Sequence, residues 1–191
     1  GNNMVKISNL TKNIHESLKI INNNNLKELQ YGTINDKKVF FNFSLGFTSY
    51  VLANRKTSTL KGYPLDAIIS YFKYKSTKVK IKSDYDFFDK KIFVAFFINT
   101  SHYLSFIKFL KKNNRTESLN VFYLPENNKF KNFIKLIPLL IGINFFKTFK
   151  TANLTIELTD DQQIEVDGDI YRSNENILSI KNQNKINFIS G

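Results

Sequence analysis

Between Ile92 and Ile98 the chain reads Ile-Phe-Val-Ala-Phe-Phe-Ile, without one polar residue. A half-exposed strand would alternate, and an amphipathic helix would break the run every third or fourth position. A continuous apolar stretch this short is predicted to be a central, fully buried strand, ending at Asn99. The rest of the chain has to supply its cover.

The other strands are expected to be one-sided. Asn153 to Leu158 alternates apolar and polar residues, Asp160-Asp161 turns the chain, and Ile164-Glu165-Val166 begins a second strand. Asp167-Gly168 is a tight-turn dipeptide that leaves two carboxylates, Asp167 and Asp169, beside one bend, and Ile177 to Ile180 closes the set. On the residues alone, a hairpin turn with solvated acids accounts for this tetrad. Near the start, Leu26 to Ile34 reads as a strand, Asn35-Asp36 as a turn and Val39 to Phe43 as the hairpin partner; Leu119 to Leu124 is a further strand. Lys78-Val79-Lys80-Ile81-Lys82 places three lysines on one face. They mark either a solvated edge strand or a stripe facing phosphate or membrane.

Helices are fewer. Asn13 and Glu16 form a capping box ahead of Ile14, Leu18 and Ile21, and Asn22 to Asn25 end that helix. Gly46 permits a positive backbone angle where a strand gives way to a helix over Thr48 to Arg55. Pro64 suits the first position of a helix covering Leu65 to Tyr74, whose Leu65, Ile68, Ile69 and Phe72 are expected in the core. Phe130 to Phe146 is predicted as a helix kinked near Pro138, with core packing its expected role. Strands with a few inserted helices, and no linker or repeat, predict an α+β domain dominated by an antiparallel β-sandwich over residues 1–191.

Composition narrows the function classes. A hydrophobic fraction of 42% with 19 Phe excludes a disordered chain, and the absence of Cys excludes disulfides and thiolate chemistry. A net charge of +12 points to an anionic partner, although the abundance of Lys, Asn, Ile and Phe also reflects AT-rich coding. No signal peptide is legible, and the apolar stretch from Phe133 to Phe146 falls short of the roughly 20 residues a spanning helix needs. The expectation is a cytoplasmic chain, peripheral at the inner membrane face. The first residue is not Met, which suggests a fragment. His15 and His102 have no partner at metal-ligand spacing and read as surface and loop residues.

Taken in order, Gly1-Asn2-Asn3-Met4-Val5, the capped helix, the hairpin, Ser44-Leu45-Gly46-Phe47, the apolar strand ending at Asn99 and Asp167-Gly168-Asp169 resemble the diacylglycerol kinase and sphingosine kinase-like lipid kinases. That family carries Gly-Thr-x-Asn-Asp-Phe-Ala, Asn-x-Ser-x-Gly-Phe and a final Asp-Gly-Glu in the same order. The resemblance implies that the chain is the substrate-side domain, with residues 1–12 the tail of a truncated ATP-binding domain. It implies ATP and Mg²⁺ as cofactors, a lipid substrate at a membrane surface, and Asn2 as a nucleotide-binding position. It further implies that Asp169 accepts the proton of the lipid hydroxyl, while Asp167 orients the turn or meets the metal–phosphate network. A homodimer stays open.

The chain also departs from that pattern. No Gly-Gly-Asp-Gly-Thr phosphate loop is present, and the family's Gly-rich segment becomes Thr100 to Lys112, with no glycine. Its Asp-Gly-x-Leu-Asp becomes Thr116-Glu117-Ser118-Leu119-Asn120, where Thr116 cannot replace a carboxylate on a hard cation, so no metal ligand is assigned. Asp169 is one methylene shorter than the family's Glu. Three readings follow: part of an ATP-dependent lipid kinase acting on diacylglycerol or a related lipid alcohol; a diverged, non-catalytic lipid- or membrane-binding module of the same fold; and, least favoured, a nucleic-acid-binding domain. Aromatic residues set in apolar runs, not interleaved with basic ones, weigh against the third.

Overall fold

The computed structural model describes residues 13–24, 26–56, 63–99, 118–136, 145–158 and 163–189. The order is α1 (Ile14–Asn22), β1 (Leu26–Ile34), β2 (Lys38–Phe40), β3 (Asn42–Gly46), α2 (Phe47–Asn54), α3 (Tyr63–Lys73), β4 (Thr77–Ser83) and β5 (Phe87–Ile98). It continues with β6 (Leu119–Pro125), α4 (Lys129–Leu136), β7 (Lys147–Thr151), β8 (Asn153–Leu158), β9 (Gln163–Val166), β10 (Asp169–Arg172) and β11 (Ile177–Ile189). The strands make one 11-stranded sheet in the order β10-β9-β3-β5-β4-β8-β11-β1-β2, with β6 on β5 and β7 on β6. Each described pairing is antiparallel. The α+β, antiparallel expectation holds.

The central strand explains the architecture. β5 pairs with β4 along Phe87 to Ile92 and with β3 along Val94 to Ile98, while β6 runs beside Ile92 to Ile98. Ile92, and beyond an irregularity in the register between Ile92 and Val94 also Ala95 and Phe97, join a core that also holds Phe40, Ile81, Ile156, Val166 and Ile180. Strands far apart in the sheet order can share one core only if the sheet curls onto itself. At the centre of that core Phe43 stacks on Phe97 with ring centroids 4.1 Å apart, and Phe40 meets Phe43 edge-on at 4.8 Å. The opposite face of β5, with Phe93, Val94, Phe96 and Ile98, packs under Phe47 and Val51 of α2 and Tyr71 and Tyr74. Two cores, one on each face, are what the uninterrupted apolar run required.

Glycine is needed where α2 starts. Gly46 has φ +90°, and a Cβ there would lie 2.6 Å from the Phe93 carbonyl oxygen. At α1, Asn13 Oδ1 accepts from the His15 and Glu16 amides at 3.0 and 3.5 Å, as the capping residues predict, but the helix buries no residue.

Several expectations are corrected. The predicted strand Val39 to Phe43 is split: β2 ends at Phe40 and β3 starts at Asn42, with a bend at Phe41. The lysine-bearing β4 is not an edge strand, since it lies between β5 and β8, and Lys78 and Lys80 reach Asp89 and Glu157 at 3.5 and 2.7 Å. Of the helix expected over Phe130 to Phe146, Lys129–Leu136 is described, residues 137–144 with the kink at Pro138 fall outside the described residues, and Phe145 and Phe146 are not helical but lead into β7 at Lys147. Leu65, Ile68, Ile69 and Phe72 are exposed, not core; Tyr71 and Tyr74 wedge against Phe47 and Phe93 and set the opposite side of α3 toward the sheet.

Candidate functional site

Asp167 and Gly168 have φ +52° and +100°, and Asp169 pairs with Val166, so β9 and β10 are joined by a two-residue hairpin with both central residues left-handed. The turn is fastened to β3 from outside the hairpin. Asp167 donates its backbone N–H to the Asn42 carbonyl at 3.0 Å. Its carboxylate accepts from the Phe41 amide at 3.0 and 3.2 Å and from the Asn42 amide at 2.8 Å. This side chain thus takes the Phe41 N–H at the bend between β2 and β3, which is why the predicted single strand is split there.

A second carboxylate braces the turn from beneath. Ile164 and Val166 face the inner core, so Glu165 points to the other side of β9, where it is 2% exposed. Its Oε2 accepts from Ser44 Oγ at 2.5 Å and its Oε1 from the Gly168 N–H at 3.1 Å, while Thr48 Oγ1 donates to Ser44 Oγ at 2.8 Å. Four side chains and backbone groups from β9, the turn, β3 and α2 are connected through one buried acid. The end of β5 arrives at the same corner: the Asn99 N–H donates to Asn42 Oδ1 at 3.1 Å and to the Phe41 carbonyl at 3.2 Å. The Asn99 amide side chain is buried with no hydrogen-bond partner among the described residues.

Against this fixed frame Asp169 is exposed, and among the described residues its carboxylate makes no hydrogen bond or ion pair. The two predicted acids are therefore brought to one turn but treated differently. Asp167 is spent on backbone amides; Asp169 is presented to whatever approaches. Packing around the Asp167 carboxyl raises it above the ordinary carboxylate range, opposed by the Phe41 and Asn42 amides and by Lys38, and the nearby Asp169 adds a smaller upward push. Glu165 and Ser44 escaped the sequence reading as site residues. The one available signal was an acid between two core-facing neighbours, and it looks solvent-facing unless a helix is known to lie over it.

Asn2, Thr116, Glu117 and His102 lie outside the described residues. Among the described residues no group of three or more His, Cys, Asp or Glu stands together as a metal site. Both Asp167 oxygens already accept backbone N–H groups, so the described donors at the turn do not make up a Mg²⁺ site.

Two hollows lie away from the turn. One of about 360 Å³ is lined by Gly46, Ser49, Tyr50, Tyr74 and Gln163 among others, and one of about 280 Å³ by Tyr71, Tyr74, Lys75, Lys91, Glu126 and Asn132 among others. Burial pushes the shared Tyr74 hydroxyl up to about 12, with a contact to Thr77 Oγ1 at 3.4 Å pulling weakly the other way. A raised folded value means that the unfolded tyrosine ionises first, so this stabilisation is full below about pH 10 and is lost as pH rises through about 12. The urea midpoint is accordingly expected to fall across that window, and less steeply in Tyr74→Phe. An unchanged slope in the variant would exclude Tyr74 as a source.

No protein-family model and no curated protein matches the sequence. Solved structures do. A diacylglycerol kinase from Bacillus anthracis str. Sterne aligns with TM-score 0.65 at 15% identity, covering 100% of this chain and 63% of its own. Two candidate diacylglycerol kinases from the same strain align with TM-scores 0.71 and 0.70 at 16% and 19% identity, again over the whole of this chain and 65% and 66% of theirs. The fold is that of the diacylglycerol kinases. The chain spans a little under two thirds of the length of these kinases. An NAD kinase from Archaeoglobus fulgidus, in complex with ATP, is a more distant likeness at TM-score 0.51 and 9% identity over 94% of this chain. Among the described residues of this diacylglycerol kinase fold, no helix is long and apolar enough to cross a membrane.

Proposed function

We propose that this chain is the acceptor-side part of an ATP-dependent lipid kinase that phosphorylates the hydroxyl of diacylglycerol or a related lipid alcohol. The observation that carries the reading is the exposed Asp169, held on a turn that Asp167 and Glu165 brace, within a chain whose whole length follows the diacylglycerol kinase fold. In this reading the acceptor hydroxyl sits beside Asp169. Its oxygen attacks the terminal phosphoryl group, its proton passes to the Asp169 carboxylate, and nucleoside diphosphate leaves. Asp167 is a positioning residue: it touches backbone, not substrate, and fixes where Asp169 begins. Asn2 would stand at the nucleotide. The lipid would be met at a membrane surface, with the chain peripheral on the cytoplasmic side.

The test is transfer of labelled phosphate from ATP, with Mg²⁺, to diacylglycerol in detergent micelles, by the complete polypeptide in which this sequence occurs. Expected is a labelled phospholipid at a rate well above that of a no-protein control. Absence of transfer to diacylglycerol, monoacylglycerol and sphingosine alike would overturn the kinase reading and leave the non-catalytic lipid-binding module.

A further inference from the structure

Away from the Asp167 turn, the ends of α3 and β6 and the starts of β5 and α4 enclose a hollow with firm walls. Tyr74 follows α3 and is kept in its last turn by its N–H, which donates to the Ser70 carbonyl at 2.8 Å. It packs edge-on against Phe93 of β5 with ring centroids 5.5 Å apart, and Tyr71 meets the same ring at 6.2 Å. The end of β6 is tied to β5 where the Glu126 N–H donates to the Lys91 carbonyl at 2.9 Å. α4 follows, with Asn128 Oδ1 accepting from the Phe130 N–H at 2.9 Å. The space between has a volume of about 280 Å³, near the lower end of small-molecule sites, which begins at about 300 Å³.

Asn132 selects what this space takes. It lines the hollow from the first turn of α4 and is 1% exposed, yet its Oδ1 has no hydrogen-bond partner among the described residues. Its Nδ2 donates to the Asn127 carbonyl at 3.5 Å. A buried acceptor left without a donor costs stability, and such groups are rare unless something outside the chain supplies the donor. An apolar occupant would leave Oδ1 unpaired. So would a fully ionised anion, which brings only acceptors.

The lining also sets the charge. It holds Lys75, Lys91 and one carboxylate, Glu126, whose Oε2 lies 4.0 Å from Lys91 Nζ; Lys75 forms no ion pair with a described residue. Two cations against one anion disfavour an ammonium ligand and favour a negative group at Lys75. The rings of Tyr71, Tyr74 and Phe93 offer an apolar wall to a compact organic body.

We propose that this hollow binds a small phosphorylated polyol or sugar, with its phosphate at Lys75 and a hydroxyl donating to Asn132 Oδ1. The site stands apart from the lipid-acceptor reading, because its occupancy needs neither ATP nor lipid.

Isothermal titration calorimetry of the complete polypeptide, without nucleotide or lipid, tests this with sn-glycerol 3-phosphate, D-ribose 5-phosphate and D-glucose 6-phosphate. At least one is expected to bind with a dissociation constant of about 1 mM or lower. Inorganic phosphate and the unphosphorylated compounds should bind about tenfold more weakly or worse. Lys75→Glu should weaken binding by about tenfold or more at an unchanged melting temperature, because the side chain is exposed. Asn132→Leu should abolish binding while the melting temperature holds or rises, since the unpaired acceptor is gone. A purely structural Asn132 would leave binding intact in that variant. Should Asn132→Leu fail to fold, Lys75→Glu alone decides. No heat from any of the three phosphates would leave water as the partner of Asn132 and overturn the proposal. Binding untouched by Lys75→Glu, or inorganic phosphate bound as tightly as the esters, would overturn it as well.

Discussion

Asp169→Ala, placed in the complete polypeptide, is expected to lower phosphate transfer to a lipid hydroxyl by about a hundred- to ten-thousandfold, the range that loss of a positioned proton acceptor produces. Folding should be almost untouched. Asp169 is exposed at the first residue of β10, its pairing with Val166 is made by backbone, and no described residue depends on its carboxylate. A melting temperature within about 2 °C of the unchanged protein corresponds to no more than about 0.5–1 kcal/mol for a chain of this size. Initial rates on micellar diacylglycerol, read beside thermal melts, separate the two effects. Asp169→Glu supplies the methylene by which this chain departs from the Asp-Gly-Glu of the kinases it resembles, and it should retain transfer, since the carboxylate still reaches the acceptor. Activity of Asp169→Ala within a few-fold of the unchanged protein would remove this residue from the chemistry.

Asp167→Ala should show the reverse pattern, a folding defect first. It deletes the acceptor for the Phe41 and Asn42 amides, held at 2.8 to 3.2 Å, and leaves those donors at the junction of β2 and β3 without their partner. It also places alanine at φ +52°, where Asp and Asn are far better tolerated. Together these are expected to cost about 2–4 kcal/mol, or roughly 5–15 °C in melting temperature. Asp167→Asn keeps an acceptor oxygen and a residue favoured in this turn, so it should recover more than half of the loss. Urea unfolding of the three proteins decides it. Equal stability of Asp167→Ala and the unchanged protein would show that the clamp on β3 contributes nothing.

What could be read from the residues was whatever a strand or helix settles locally. The run Ile92 to Ile98 required cover on both faces, and it has two cores. Asp167-Gly168 required a hairpin, and it is one. What could not be read depends on partners remote in the chain. The alternation at Lys78 to Lys82 is real, but whether that strand is an edge depends on β8, whose Glu157 pairs with Lys80. β7 carries no clear alternation and is held by its register against β6. The apolar stripe of α3 was legible; the side that meets the sheet was decided by Tyr71 and Tyr74 against Phe47 and Phe93. Likewise Glu165 looks like a surface acid until α2 is known to stand over it.

The clamp between Asp167 and the start of β3 joins groups 125 and 126 residues apart. No local segment can make that contact, because the loop it closes spans most of the polypeptide and its entropy must be recovered by the strands in between. The corner that holds Asp169 is therefore expected to be complete only once β3 and β9 have paired. Partly folded forms, with the sheet still open between β3 and β9, lack the geometry of the corner, so the chemistry assigned to it is confined to molecules that have finished folding.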